Sequence, residues 1–228
     1  MSTKRVFPCL GKNDVFVVPT LDGSHSLYSV ATRSSYHSMH GAVSESKHVF
    51  IQHGLTTQSY KEQIKILEFG FGTGLNAFLS FLFSRNNATQ VSYTGLDSYD
   101  IDPLIIRELN YPAYLAAVHF ADIFDLMHVR DDFSIDKFTF RRLKYLNELL
   151  TEEMVDCIFF DAFSPQVHPE QWEQNIFDAL FEISTDGACL VTYCAKGEIR
   201  RRIQKAGYHV NRIAGAPGKR EMIQAFKK

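Results

Sequence analysis

The fold is decided by the stretch IKILEFGFGTGLN, residues 64–76. An apolar run leads through the acid Glu68 to three glycines at alternate positions, and the helix-forming segment AFLSFL follows at residues 77–82. The glycines are Gly70, Gly72 and Gly74. This order indicates a buried parallel strand, a tight turn and the N-terminus of a helix. Alternate glycines leave bare backbone with free N–H groups, which suits the turn to bind a ligand.

Two classes of cofactor bind to turns of this kind. The dinucleotide fingerprint G-x-G-x-x-G needs a glycine where this chain has Leu75. The pattern present, E-x-G-x-G-x-G, resembles the first motif of class I S-adenosylmethionine (SAM) methyltransferases. The carboxylate of Glu68 suits the cationic methionine end of SAM and would repel a pyrophosphate. The turn therefore favours SAM over NAD, and a glycine turn without a ligand is the alternative.

The length and composition of the chain describe an ordinary intracellular enzyme. A chain of 228 residues can form one α/β domain with an extension, and it can bury a core without disulfides or a metal. The four cysteines form no C-x-x-C pair, which fits reduced thiols in the cytoplasm. No apolar run follows Lys4 and Arg5, and none approaches the roughly 20 residues of a membrane span.

The charge is distributed unevenly along the chain. Residues 196–228 contain ten basic and two acidic residues, a balance of +8 within a whole-chain charge of −2. Residues 1–195 therefore carry −10. This excess of positive charge suggests that the C-terminal end binds a polyanionic partner. The alternative is a solvated helix face followed by a basic terminus.

The pattern predicts an α/β fold of the class I SAM-dependent methyltransferase (Rossmann-like) type, with helices on both faces of the sheet and an antiparallel last strand. We assign residues 61–228 to this domain and residues 1–60 to a small β-rich N-terminal extension. The His-rich segment 37–48 lacks an H-E-x-x-H motif and a nearby cysteine cluster, so we expect a loop lining a cleft and no metal site.

Acids at strand ends are candidates for binding the cofactor. Residues 91–97 form the predicted second strand, whose terminal Asp97 is placed to bond ribose hydroxyls. Residues 118–120 look like a short third strand, followed by Asp122 and Ile123 near the adenine, although a helix cap is the competing role of Asp122. Residues 128–147 lack clean periodicity, which favours an irregular insertion or a helix over the sheet edge.

The predicted fourth strand carries the candidate catalytic residue. Residues 155–161 are continuously apolar up to Asp161, as expected for a central strand with a ligand at its carboxyl end. The segment AFSP, residues 162–165, follows. With its small, aromatic and proline residues it resembles the polar-Pro-Pro-aromatic loop of amine-methylating enzymes, which is also a stiff loop beside the reacting amine. Pro169 and Trp172 complete this stiff loop. A helix cap at the strand end is the alternative role of Asp161.

Several phrases together resemble one family, the tRNA 5-methylaminomethyl-2-thiouridine methyltransferases, which include stand-alone MnmD and the methyltransferase domain of bifunctional MnmC. The phrases are GFGTGLN at residues 70–76, the Asp161 loop with Pro169 and Trp172, GKREM at residues 218–222, DGS at residues 22–24 and Glu45-Ser46. The resemblance covers nearly the full length of the chain. Asp97 stands where many relatives have Glu, and His168 where some have Asn.

The resemblance implies SAM-dependent N-methylation of an aminomethyl group on the wobble uridine of tRNA in the cytoplasm. The chain lacks the second glycine-rich motif of a flavin oxidase domain, so we expect no FAD domain and a substrate supplied by other enzymes. We expect a monomer or weak dimer. The rivals are an aminopropyltransferase of the spermidine synthase kind and a non-catalytic RNA-binding protein on this fold.

The resemblance also implies roles for individual residues. Asp161 is the expected catalytic residue, which binds the ammonium, orients it and accepts a proton. The expected cofactor-binding residues are Glu68, Gly70, Gly72, Gly74, Asn76, Asp97, Asp122 and Ile123. The expected substrate and tRNA residues are Glu45, Phe163, Pro165, Trp172, Arg200, Arg201, Lys219 and Arg220. Phe163 and Trp172 are expected to stack near the uracil, with core packing as the alternative, and the cations to hold phosphates.

Overall fold

The computed structural model describes residues 9–148 and 154–228. Its strands in chain order are β1 (Cys9–Leu10), β2 (Val15–Pro19), β3 (His25–Ser29), β4 (Ser34–Ser35), β5 (Gln63–Phe69), β6 (Gln90–Leu96), β7 (Asp100–Ile101), β8 (Asp132–Ile135), β9 (Phe138–Leu143), β10 (Val155–Phe160), β11 (Ser184–Thr192), β12 (His209–Ala214) and β13 (Glu221–Phe226). The α-helices are α1 (Ala42–Ser46), α2 (Leu75–Asn86), α3 (Pro103–Ile106), α4 (Tyr111–Tyr114), α5 (Ala121–Val129), α6 (Gln174–Glu182) and α7 (Gly197–Ala206). Short π- or 3₁₀-helical turns occupy Lys47–Gln52, Leu55–Gln58, Val118–Phe120, Leu146–Glu148 and Pro169–Trp172.

Eight strands form a central sheet in the order β12-β13-β11-β10-β5-β6-β9-β8. Strands β5, β6, β9, β10 and β11 pair in parallel, whereas β13 lies antiparallel to both β11 and β12. The α/β fold with an antiparallel last strand is confirmed. The strand order reverses at β5, because the chain continues from β5 to β6 on one side and later returns to β10 on the other. Ligands bind at the carboxyl ends of strands at such a switch point.

The two central strands, β5 and β10, are mostly buried because helices and loops cover both faces of the sheet. Every residue of β10 is buried. On one face, α2 packs its phenylalanines against the sheet, where Phe78 and Phe81 are fully buried. On the other face, α6 and α7 cover the strands with residues such as Phe177 and Ile203. The core therefore holds β5 and β10 rigidly, and the loops that leave their carboxyl ends start from fixed positions.

The predicted third strand is wrong. Residues 118–120 form a 3₁₀ turn that leads into α5, and the strand that pairs with β6 is β9. The segment expected to be an insertion therefore contains the third strand, together with its antiparallel neighbour β8. A local signal was present, since Phe138 and Phe140 alternate with polar residues and both are fully buried. The turn before them has Asp136 at φ 49, as a tight hairpin requires.

The N-terminal segment packs a small sheet and short helices against the central sheet. Strands β2, β3 and β4 form an antiparallel sheet, and residues 42–58 are helical turns. Asp22, in the turn between β2 and β3, accepts hydrogen bonds from the main chain and hydroxyls of Ser24 and Ser44. Burial opposes the charge of Asp22, but these bonds outweigh it and lower its pKa to about 2. Asp22 thereby ties the hairpin to α1.

No helix in the described ranges has the length and apolar character needed to cross a bilayer.

Alanine substitutions at two glycines with positive φ, Gly70 and Gly187, test how tightly the glycine turn is packed. A Cβ at Gly70 would lie 2.5 Å from the carbonyl oxygen of Asp161, whereas a Cβ at the exposed Gly187 would meet no atom nearer than 3.8 Å. Both would carry the left-handed backbone cost of about 1 kcal/mol. We expect Gly70→Ala to lower the free energy of unfolding by about 2 kcal/mol more than Gly187→Ala, measured by urea denaturation. Equal losses would show that the turn tolerates displacement from β10.

Candidate active site

A cavity of about 760 Å³ opens at the carboxyl ends of β5, β6, β9 and β10, where the strand order reverses. The glycine turn, Asp97–Tyr99, Lys144–Leu146 and Asp161–Ser164 line it from the sheet side. The N-terminal segment contributes Tyr36–Ser38 and Glu45, and the loop between β12 and β13 contributes Lys219. The cavity is therefore built between the central sheet and the N-terminal segment.

The glycine turn presents main chain to the cavity and is fixed from behind. Gly70 and Gly72 line the cavity with φ 96 and φ 52. The next residue, Thr73, pairs through its hydroxyl with His37 Nε2 at 2.8 Å and accepts a hydrogen bond from Tyr111 at 3.3 Å. Its carbonyl accepts from His128 Nε2 at 3.1 Å. The backbone of the turn is thus held in place by side chains from three other segments.

Asp97 lies at the cavity edge, immediately after β6, as predicted. Its Oδ2 accepts a hydrogen bond of 2.8 Å from the N–H of Gly72, and its Oδ1 accepts one of 3.1 Å from Tyr99. Burial raises the pKa of Asp97. The carboxylate therefore links the second strand to the glycine turn while facing the cavity.

Asp161 is joined to a buried acid by a single amide. Asn76 Nδ2 donates to Asp161 Oδ2 at 2.9 Å and to Glu68 Oε1 at 2.7 Å. The second oxygen of Glu68 accepts a hydrogen bond of 2.6 Å from the hydroxyl of Tyr93. The opposite orientation of the Asn76 amide would direct its oxygen at both carboxylates. The network therefore fixes which atom of Asn76 is the nitrogen.

Burial governs the ionisation of both acids. Desolvation, with the nearby charge of Asp161, raises the pKa of Glu68 well above its usual range. Desolvation and the negative charge of Glu45 raise the pKa of Asp161 to about 8, although Asn76 and Lys219 act in the opposite direction. Asp161 therefore exchanges its proton within the range of physiological pH.

Glu68, Gly74 and Asn76 do not line the cavity, so their direct contacts with the cofactor stay predictions. Glu68 is fully buried, Asn76 is 2% exposed, and neither lines the cavity. Gly74 begins α2 with φ 73, and a Cβ there would lie 2.7 Å from the ring of His128. The three residues act from behind, because Glu68 and Asn76 hold Asp161 and Gly74 allows α2 to start against His128.

The adenine contacts predicted at Asp122 and Ile123 were placed after a third strand that the structure puts elsewhere. Both residues lie in the first turn of α5, outside the lining of the cavity, and Asp122 is exposed. The loop after the observed third strand begins at Lys144, and its residues Tyr145 and Leu146 line the cavity.

The loop after Asp161 divides its residues between cavity and core. Phe163 lines the cavity, whereas Pro165 does not. Trp172 is fully buried, packs against Phe160 and donates a hydrogen bond of 2.7 Å from its indole nitrogen to the carbonyl of Phe163. The expected stacking of Trp172 on the substrate is therefore wrong, and its core alternative is confirmed. Trp172 fixes the loop that places Phe163 in the cavity.

The predicted tRNA-binding cations fall into two groups. Lys219 lines the cavity and forms an ion pair with Glu45, which is 5% exposed. Arg201 and Arg220 are exposed, whereas Arg200 is half-buried, and its Nε has no hydrogen-bond partner among the described residues. Lys219 is thus part of the cavity wall and not of the outer basic surface.

The aromatic residues of the cavity that sequence reasoning missed include Tyr36 and Tyr193. The Tyr36 ring lies 3.1 Å from the position that a Cβ of Gly72 would take, and it meets Phe163 edge-on with ring centroids 4.9 Å apart. Tyr193 donates a hydrogen bond of 2.8 Å to the carbonyl of Ala162. Tyr36 carried no signal, because it belongs to a polar loop; Tyr193 ends an apolar strand, where a polar tip facing a ligand is expected.

The His-rich segment lines the cavity as expected, through His37. Burial lowers the pKa of His37 to about 4 and that of His128 to about 3, so both imidazoles are neutral at pH 7. Within residues 9–148 and 154–228, no three His, Cys, Asp or Glu side chains are grouped so that they could hold a metal ion.

Comparisons with known proteins agree with this geometry. Residues 138–228 match a family described as S-adenosyl-L-methionine-dependent methyltransferase. Two curated relatives carry the name tRNA 5-methylaminomethyl-2-thiouridine biosynthesis bifunctional protein MnmC. The one from Idiomarina loihiensis is 28% identical over 82% of this chain and 34% of its own length, and the one from Nitrosospira multiformis is 30% identical over 87% and 35%. The chain thus spans about a third of the length of these relatives.

Among solved structures, MnmC2 from Aquifex aeolicus superimposes with a TM-score of 0.72 at 22% identity. The superposition covers 96% of this chain and 73% of that protein. It shows that the two proteins share their fold.

The charge balance around Asn76 can be tested by adding a third carboxylate. Asn76→Asp should lower the free energy of unfolding at pH 8 by about 3 kcal/mol more than Asn76→Ala, which removes the same hydrogen bonds without adding charge. Acids whose pKa is raised by folding hold extra protons in the folded state, so they destabilise it as the pH rises. The gap between the variants should therefore shrink at pH 5, as measured by urea denaturation. A gap that does not change with pH would contradict the coupling of these carboxylates.

Proposed function

We propose that this chain is a SAM-dependent methyltransferase and that it methylates the amine nitrogen of a 5-aminomethyl group on the wobble uridine of tRNA. The observation that carries the proposal is the position of Asp161, a carboxylate that faces the same cavity as the glycine turn and Asp97. An amine-binding acid beside a SAM site is what N-methylation requires. The names of the MnmC relatives support the choice of a modified tRNA uridine as the substrate.

The residues around the cavity fit SAM. Gly70 and Gly72 present bare main chain, on which the methionine end would lie, and the Asp97 carboxylate would bond the ribose. Tyr145 and Leu146, after the third strand, would flank the adenine. Bound SAM supplies an electrophilic methyl group on a sulfonium, and the residues of this chain position the nucleophile beside it.

Asp161 would prepare the amine for attack. An alkyl ammonium has no free electron pair, so it must lose a proton before its nitrogen can form a bond to carbon. In the free protein Asp161 holds its own proton up to about pH 8. A cation in the cavity favours the ionised carboxylate, so binding of the ammonium promotes ionisation of Asp161. The carboxylate then orients the ammonium and accepts its proton, directly or through water.

The rest of the cavity wall would select a nucleobase. Phe163 and Tyr36 form an aromatic corner next to the glycine turn, and unstacked bases bind to such faces. The N-terminal segment supplies Tyr36, so we propose that residues 1–60 act as a substrate-binding extension of the methyltransferase domain at residues 61–228. Outside the cavity, Lys196, Arg201, Lys205 and Arg220 are exposed and would contact phosphates.

Replacement of Asp161 tests the reaction. Asp161→Asn keeps the shape and the contact with Asn76 but cannot accept a proton, so methyl transfer from radiolabelled SAM to tRNA bearing aminomethyluridine should fall by about 100-fold or more. SAM affinity, measured by calorimetry, should change only a few-fold. Turnover close to that of the native protein would remove the role of Asp161. If the native protein methylated no tRNA and instead transferred an aminopropyl group to a polyamine, the proposed function would be wrong and the aminopropyltransferase alternative right.

Charge reversal tests the outer surface. Arg201→Glu with Arg220→Glu should weaken tRNA binding and lower the slope of log K against log salt by about one per lost phosphate contact. Lys137→Glu is the control, because Lys137 is exposed and precedes β9, whose carboxyl end opens on the cavity. SAM affinity should be unchanged in both variants. Equal weakening of tRNA binding by the control would place the RNA surface elsewhere.

A further inference from the structure

An ion pair that reaches the cavity from two distant parts of the chain has no role in the account above. Glu45 lies in α1 and accepts a hydrogen bond of 2.8 Å from the N–H of Ser38 through one oxygen. The other oxygen binds the ammonium of Lys219. Glu45 is 5% exposed, and burial of an unpaired carboxylate is costly, so the ion pair is needed to keep this charge in the wall.

The ammonium of Lys219 is held by two contacts, and the backbone that carries it by two more. Besides the ion pair with Glu45, it lies 3.9 Å from the centroid of the Tyr193 ring, within the range of a cation–π interaction. The preceding Gly218 is packed so closely on His40 that a Cβ there would clash with the imidazole ring. The N–H of Lys219 also donates to the carbonyl of Ala216 at 2.8 Å. The loop between β12 and β13 therefore delivers a positive charge to a defined point.

This charge is close to Asp161. The hydroxyl of Tyr193 donates to the carbonyl of Ala162, the residue that follows Asp161, so the ring under the ammonium is fixed to the Asp161 loop. Glu45, Lys219 and Asp161 all line the same cavity. Two carboxylates and one ammonium thus share a partly dehydrated space in which each charge affects the ionisation of the others.

We propose that Glu45 and Lys219 are positioning residues that set the pH at which Asp161 ionises, Glu45 delaying ionisation and Lys219 advancing it. The balance of the two keeps Asp161 able to exchange a proton near neutral pH. Electrostatic effects of Glu45 and Lys219 on the pKa of Asp161 have these same signs. Lys219 accordingly serves the reaction and not the binding of phosphates. The catalytic part of this inference rests on the proposed function, whereas the ionisation of Asp161 does not.

Other groups also contact or face Asp161. The amide of Asn76 is bonded to it directly, and Glu68 with Tyr93 lies behind that amide. The remaining titratable or charged groups around the cavity are His37, Asp97, Tyr99, Lys144, Tyr145, His168, Glu170, Tyr36 and Tyr193. His37 is neutral above about pH 4. A shift of Asp161 in variants of Glu45 or Lys219 therefore reports on the pair.

The direct test is a titration of Asp161 in the free protein. Protein labelled with ¹³C at aspartate carboxyl groups is followed by NMR, and Asp161→Asn identifies the signal. Lys219→Met should raise the midpoint of Asp161 by about one unit or more, and Glu45→Gln should lower it by a similar amount. The double variant should return to within about half a unit of the native value. Arg212→Met removes a charge from the same strand pair and should leave the midpoint unchanged.

The second test is the pH profile of methyl transfer in single turnover. The acid limb of the profile should move to higher pH in Lys219→Met, so that the variant is slow at pH 7 and recovers above pH 9. It should move to lower pH in Glu45→Gln. Thermal unfolding checks that each variant is folded. An unchanged Asp161 midpoint in Lys219→Met, or shifts of both variants in one direction, would overturn the inference.

Two outcomes distinguish this inference from phosphate binding by Lys219 and from a failure of the proposed function. If Lys219 only held phosphates, Lys219→Met would weaken tRNA binding and leave the Asp161 midpoint and the pH profile in place. If the proposed function were wrong, the native protein would methylate no tRNA, yet the opposite shifts in the NMR titration would still appear. Failure of the inference and failure of the proposed reaction are therefore distinguishable.

Discussion

The carboxamide of Asn76 is the contact on which the site depends. Its nitrogen donates to Glu68 on β5 and to Asp161 after β10, so one side chain at the start of α2 connects both central strands. Both acids are taken out of water, and neither would keep its position against the other without a shared donor. Glu68 is fully buried, whereas Asp161 lines the cavity, so the network presents a single carboxyl to the cavity. One amide thus connects a buried acid to an acid that faces the cavity.

The N-terminal segment completes the cavity. The central sheet provides the glycine turn and the two acids at strand ends, which is the part that many nucleotide-binding sheets have in common. The small sheet and α1 add Tyr36, His37 and Glu45, which face the same space. One wall of the cavity therefore follows from the general fold, whereas the opposite wall comes from the N-terminal segment.

Sequence reasoning predicted the correct secondary structure where the local pattern of apolar residues and glycines matches the burial that the fold imposes. The run before Asp161 predicts a central strand and the glycines before α2 predict a turn at a helix start, and both elements are present. It failed at residues 118–120, because a short apolar segment before an acid fits a strand or a helix start equally well, and only pairing with β6 decides between them. For Glu68, the motif shows that an acid is present but not which way it faces. The Glu45–Lys219 pair joins residues 174 positions apart, so no local pattern could have shown it.

The loop between β12 and β13 is attached to the N-terminal segment at three points. His48 donates to the carbonyl of Ala214, His40 packs on Gly218, and Glu45 binds Lys219. The N-terminal segment and the β12–β13 loop are thus packed together, although Glu45 and Lys219 are 174 positions apart in the sequence. A chimera that takes residues 1–60 from a distant homologue would place side chains against the β12–β13 loop that do not match it. Evolution or engineering of new substrates must therefore exchange both segments together.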